Sequence, residues 1–221
     1  MTAIDRETLR RITDCWSREF PGFDAWRPLR LLRRIGPVLQ GVTLERSVTG
    51  EYYFATSHLH SLTREFPVIS LSLSHRLLRP SGQPLRIPVA EEDVSSPASK
   101  LIEQTAHSLG EVPPGLTEII STYHEFAIGQ KEKGHPAAFM ELEDSIFAAA
   151  LADEPALVET GLGIARHLAD LWPSHRLPPD WPGADAWLNG LQSRAADPVH
   201  LASIVQSQTE IHKLAKVRFS E

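Results

Sequence analysis

A single cysteine, Cys15, is all the thiol chemistry this chain of 221 residues holds, so an intramolecular disulfide or a cysteine-based zinc cluster is excluded. A reducing, cytoplasmic setting follows as the expectation. No stretch approaches the roughly 18 uninterrupted apolar residues of a membrane span. The opening MTAIDRETLRRITDCW mixes acids with arginines where a secretory signal would carry an apolar run. Also absent are the GxxxxGK[S/T] phosphate loop, the GxSxG nucleophile elbow and any repeat at a fixed period. The commonest soluble-enzyme signatures and a solenoid are thereby set aside, and no cofactor is implied.

Lysine is missing from the first 90 residues, yet that segment is the basic one. Its 13 arginines against 8 acids give +5, whereas residues 91–221 carry −11, for an overall charge of −6. Such asymmetry suggests a basic surface on one part and an acidic surface on the other. The remaining composition, 42% hydrophobic and 23% charged, supplies enough apolar surface to offset the entropy of ordering.

Hydrophobic periodicity changes near the same boundary. Leu9, Ile12, Trp16 and Phe20 recur at three and four, predicting a helix over residues 4–20 that Pro21-Gly22 ends. Beyond the loop FPGFDAWRP the period becomes two. Val38, Val42 and Leu44 alternate with polar neighbours, Thr49-Gly50 forms a turn, and residues 52–59 return antiparallel. Residues 67–78 read as the clearest strand, Arg79-Pro80-Ser81-Gly82 as a turn, and Leu85, Ile87 and Val89 as a further strand beside Arg86. From Val94 the period is near 3.6. Helices are expected from Ser96-Pro97 to Gly110, over Leu116–Lys133, over Phe139–Leu151, from Glu154-Pro155 to Leu171, and from Asp197-Pro198 to Val217, with the proline-rich stretch 172–183 as loop. The expected class is α+β. An N-terminal helix and an antiparallel sheet of about four to five strands precede a mostly helical half packed on it, in one domain over 1–221 with 1–90 as helix plus sheet and 94–221 as the helical part.

Candidate chemistry is sparse. Gly161-Leu-Gly163 begins like a dinucleotide fingerprint but meets Arg166 at the third glycine and lies within a helix. His124-Glu125 lacks the second histidine of HExxH, and Glu132-x-x-His135 crosses Gly134 at a helix end. His58 and His60 share a strand face, and His75 on a neighbouring strand offers a third imidazole; with Arg30 and Arg33 they make the alternative ligand or metal site. No metal is assigned to it. Cys15, beside Trp16, reads as a buried, inert thiol. Arg27, Arg30, Arg33 and Arg34 with Trp26 are of a kind that binds phosphate, but a pI near 5.9 opposes general nucleic-acid affinity. Trp26, Trp172, Trp181 and Trp187 would be interface anchors if exposed.

Acids form the other grouping. Glu118, Glu125 and Glu132 on one helix, with Glu141, Glu143 and Asp144 on the next, would form an acidic wall able to meet a basic protein. In general look, a small acidic α+β chain without catalytic motifs is similar to bacterial toxin-neutralising immunity proteins, and its Arg-, Ala- and Pro-rich usage fits a GC-rich bacterial source. The leading expectation is therefore a non-enzymatic protein-binding module, of the immunity type, that blocks a basic toxin or effector through its acidic surface. No nucleic acid or membrane is expected as partner. The rival reading is an enzyme or small-anion-binding protein with an Arg/His site between sheet and helices, and the third a homo-oligomer.

Overall fold

The computed structural model describes residues 5–172, 177 and 179–220. Residue 4 of the first expected helix, and residues 173–176 and 178 of the proline-rich stretch, His175 among them, lie outside the described residues. The class is α+β, and the described chain forms two compact units. The first takes residues 1–60, 69–114 and 213–221; the second takes 61–68 and 115–212.

In the first unit, α1 (Arg6–Glu19) begins where the Asp5 carboxylate accepts from the Thr8 N–H at 2.7 Å, and it carries Glu7 in its first turn and Arg18 in its last, both favourable to the helix dipole. Ile12, Cys15 and Trp16 fall on one stripe and are buried. The sheet contains β1 (Asp24–Arg27), β2 (Arg30–Ile35), β3 (Val38–Arg46), β4 (Tyr52–Ser61) and β5 (Ser72–Arg76) in that spatial order. To these, β6 (Ile87–Pro88) adds antiparallel on β4 and β7 (Phe219–Ser220) parallel on β2. Glycines with positive φ, Gly36 and Gly50, make the β2–β3 and β3–β4 turns. Leu31, Val42, Leu44, Tyr53, Ala55 and Leu77 pack with α1 and with α2 (Ser95–Gln104) in a core where the Trp16 indole N–H donates to the Tyr53 hydroxyl at 2.8 Å.

Several boundaries differ from the pattern in the sequence. The strands begin at Asp24, not Val38, because β2 is buried on both faces at Leu31, Leu32 and Arg33 and so lacks polar alternation. The expected strand over 67–78 is confined to Ser72–Arg76: Ser70 gives its backbone N–H to His60 Nδ1 at 3.0 Å, and Leu73 takes a positive φ. α2 stops at Gln104, and the helical unit begins after residue 114.

The second unit holds α3 (Leu116–Glu132), α4 (Phe139–Leu151), α5 (Pro155–Ala169), α6 (Ala184–Ala195) and α7 (Pro198–Ile211) around Leu142, Ile146, Phe147, Leu162, Leu168 and Leu201. Pro155 and Pro198 stand in the first turns of their helices, where a missing N–H costs nothing. The unexpected helix α6 turns Trp187, Leu188 and Leu191 inward. α7 ends short of Val217 because Lys213 adopts a left-handed conformation, and a 3-10 turn (Leu214–Lys216) leads into β7. Among the described residues, no helix is long and apolar enough to cross a membrane.

Gly41 shows how tightly the sheet is fitted. A Cβ there would collide with the His58 ring and with Leu32 Cδ2, so the glycine makes room for an imidazole on the neighbouring strand. Gly41→Ala is expected to destabilise the protein by about 1–3 kcal/mol through overpacking, measured as a fall in the urea midpoint by far-UV circular dichroism.

Candidate functional site

Strand register decides which of the candidate cations meet. Arg30 pairs with Thr43, and Arg33 with Gln40, so the two arginines project from opposite faces of β2. His58 reaches Thr43 Oγ1 with its Nε2 at 3.1 Å, on the Arg30 face, while His75 pairs with Ser57 and belongs to the other. The alternative site of Arg30, Arg33, His58, His60 and His75 is thus divided by the sheet itself: Arg30, His58 and His60 lie on one face, Arg33 and His75 on the other. No group of three metal-ligating side chains occurs among the described residues.

Around Arg33 there is instead a buried polar network. Its Nε donates to Gln40 Oε1 at 2.6 Å, its Nη1 to the Gly110 carbonyl at 2.7 Å and its Nη2 to the Ser108 carbonyl at 3.0 Å, while the guanidinium lies over the Phe23 ring. These bonds fix the Gln40 amide, whose Nε2 then donates to the Ser108 carbonyl and to His107 Nδ1 at 2.6 Å. His107 is therefore a neutral acceptor at Nδ1, and burial beside the Arg33 charge lowers its pKa to about 4. Burial, with His60 and His107 nearby, takes His58 to about 3. Arg33, 1% exposed and with neutral oxygens for partners, is pulled down to about 10 by desolvation. The network ties Ser108 and Gly110 to β2 and β3.

The acidic candidates also separate. Glu118, Glu125 and Glu132, two turns apart along α3, are exposed on one face. Asp144 is not part of any wall. It is fully buried, and Arg64 grips it with two parallel bonds, Nε to Oδ1 at 2.6 Å and Nη2 to Oδ2 at 2.9 Å. Burial pushes its pKa up to about 6 while the Arg64 fork pulls it down, so it is ionised at neutral pH. Glu143 accepts from the Trp187 indole N–H at 2.8 Å and lies 3.7 Å from Arg194; Glu141 is half-buried and shifted upward by desolvation. The Asp144 pair pins residues 61–68 to α4 within the helical unit.

No known protein family, curated protein or solved structure matches this chain.

Function must accordingly be argued from concave, accessible surface. Trp172 and Trp187 are buried and Trp181 is half-buried against Phe139, which makes these rings core and not interface anchors. Trp26 lies half-buried beneath the Arg27 guanidinium. Cys15 is buried, with Arg18 Nη2 at 3.1 Å from its sulfur. What the helical unit does offer is a groove of about 410 Å³ where α4 hands over to α5 and α6 to α7. Its walls are Ala150, Pro155, Val158, Leu162, Ala195 and Pro198, and its rim carries Asp153, Glu154 and Glu159. No cation pairs with these three carboxylates among the described residues. Sequence reading missed the groove because its lining comes from four helices, one of them unexpected. The Asp153-Glu154-Pro155 run was legible only as a helix start.

Proposed function

We propose that the protein is a non-enzymatic protein-binding module, and that its helical unit receives a basic partner whose apolar side chains enter the groove between Val158 and Ala195. The observation that carries this reading is the rim itself. Three carboxylates with no ion-pair partner among the described residues surround an apolar floor, an arrangement that favours a segment combining Leu- or Val-like side chains with Lys or Arg. The exposed stripe Glu118, Glu125 and Glu132 adds negative field, which would mainly accelerate encounter with a cationic surface. An inhibitor of the immunity type, occluding a basic toxin or effector, is the specific form of module that this chemistry suits.

The test is affinity capture from a lysate of the source organism with salt-step elution, comparing the native chain with E154K/E159K. Both glutamates are exposed, so the reversal leaves the core intact. A stoichiometric basic partner should be retained by the native chain and at least about tenfold less well by the variant, which corresponds to about 1.4 kcal/mol. Equal retention by the two proteins, with the same salt dependence, would remove the groove from the account.

A further inference from the structure

The first unit carries a concavity of opposite sign. After β5 the chain makes a tight hairpin in which the Arg79 N–H donates to the Gln83 carbonyl at 2.8 Å and the Gly82 N–H to the Arg79 carbonyl at 2.9 Å, with Gly82 at positive φ and Leu78 bridged to Pro84. The two arms bring Arg79 and Arg86 to one hollow with Phe54 of β4. Together with Gln83 and Pro84 they line this open hollow of about 510 Å³.

Three features make this more than two surface arginines. First, neither Arg79 nor Arg86 has an ion-pair partner among the described residues, in a chain whose net charge is −6. Second, the neighbouring carboxylate is already engaged: Glu45 pairs with Arg76 and accepts from Thr56 Oγ1, so it does not neutralise the hollow. Third, one of the two cations is braced by a ring. The Arg86 guanidinium lies 4.8 Å over Tyr52, which meets Phe54 of the lining edge to face at 5.4 Å. A guanidinium laid against a ring keeps its N–H edge free and fixed in direction, so less entropy is lost when it grips an oxyanion.

We infer that the hollow formed by Phe54, Arg79, Gln83, Pro84 and Arg86 binds a phosphate-bearing ligand, with Arg79 and Arg86 each directing N–H donors at its oxygens. Paired guanidiniums suit the several oxygens of a phosphoryl group. The hollow is larger than one phosphate needs, which favours a diphosphate or a phosphate ester. The inference is independent of the acid-rimmed groove, since it concerns other residues and a ligand of opposite charge.

The experiment is calorimetric titration of the full chain with inorganic diphosphate at low ionic strength, alongside R79Q/R86Q and the charge-matched control R6Q/R10Q on the exposed face of α1. Diphosphate should bind the native chain at one site, about 100-fold more weakly to R79Q/R86Q because each charge-assisted contact is worth roughly tenfold or more, and within about threefold of native to R6Q/R10Q. Because a lipid headgroup offers the same oxygens, a second arm sediments the proteins with phosphatidylcholine vesicles containing phosphatidic acid. Binding of free diphosphate assigns a soluble ligand; sedimentation that R79Q/R86Q abolishes, without binding of free diphosphate, assigns a headgroup. Failure of both arms, survival of binding in R79Q/R86Q, or an equal loss in R6Q/R10Q would overturn the inference.

Discussion

Asp144→Ala should destabilise the helical unit by about 3–5 kcal/mol, the usual cost of leaving one member of a buried ion pair without its partner. The Arg64 guanidinium is only 17% exposed at its side chain, and both of its bonds in the pair end on Asp144, so the truncation strands a cation that water reaches poorly. Unfolding in urea followed by the fluorescence of Trp172, Trp181 and Trp187, which pack together in this unit, reports the loss directly. A cost below about 1 kcal/mol would place the pair among ordinary surface ion pairs and refute its role as a pin. The converse change, Arg64→Ala, behaves differently with pH. Even with Arg64 present, burial raises the Asp144 pKa to about 6, above its unfolded value near 3.8. Without Arg64 it rises further. A group with a raised folded pKa gives stability below the unfolded pKa and loses it as pH rises through the folded one, so the Arg64→Ala protein should recover stability on acidification. Replacing both residues by apolar ones of similar volume, as in R64M/D144L, should come close to native stability, because the desolvation of two charges is then avoided.

The same pair shows where sequence reading stops. Glu141, Glu143 and Asp144 are indistinguishable as letters on a helix, and the feature that singles out Asp144 is an arginine 80 residues earlier. The seven-residue spacing of Glu118, Glu125 and Glu132 is a local property that sets them on one face of α3, and their charge keeps that face in water. Likewise α1, α3, α4 and α5 were legible because caps, prolines and a 3.6 period all act within a few residues. β2 escaped because a strand buried on both faces has no alternation, and α6 because it follows a proline-rich stretch and brings few apolar residues. Arg30 and Arg33, three apart, part to opposite faces once β2 is a strand, but which of them His58 and His75 join depended on cross-strand register, which no single strand encodes. The arginine hollow was half visible: the Arg79–Gly82 turn and the strand pattern around Arg86 were both read from the residues, but not that Phe54 joins them in lining one hollow.

Acid should unfold the sheet unit first. His58 and His107 are neutral in the folded protein, with pKa values held at about 3 and about 4, against about 6.5 when unfolded. Between those limits the unfolded chain binds more protons, so stability is complete above about pH 6.5 and falls as pH drops toward 4 and then 3. At about pH 5 each histidine withdraws about 2 kcal/mol, near 4 kcal/mol for the two, a large share of a typical folding free energy. The geometry opposes rescue by rearrangement. A proton on His107 Nδ1 would displace the Gln40 amide that the Arg33 Nε holds in place, and it would set a second cation beside a guanidinium with no carboxylate partner among the described residues. His58 is hemmed in by Gly41 and Leu32, with His60, His107 and Arg30 as its charged or titratable neighbours, so a proton there meets only like charge. Asp144 acts in the opposite direction over about pH 4 to 6, and it belongs to the helical unit. Urea midpoints measured from neutral to acid pH should therefore fall steeply below about pH 6.5 in the native protein and less steeply in His107→Gln, whose side chain still accepts from Gln40 but takes no proton. Parallel slopes in the two proteins would mean that the acid sensitivity arises elsewhere.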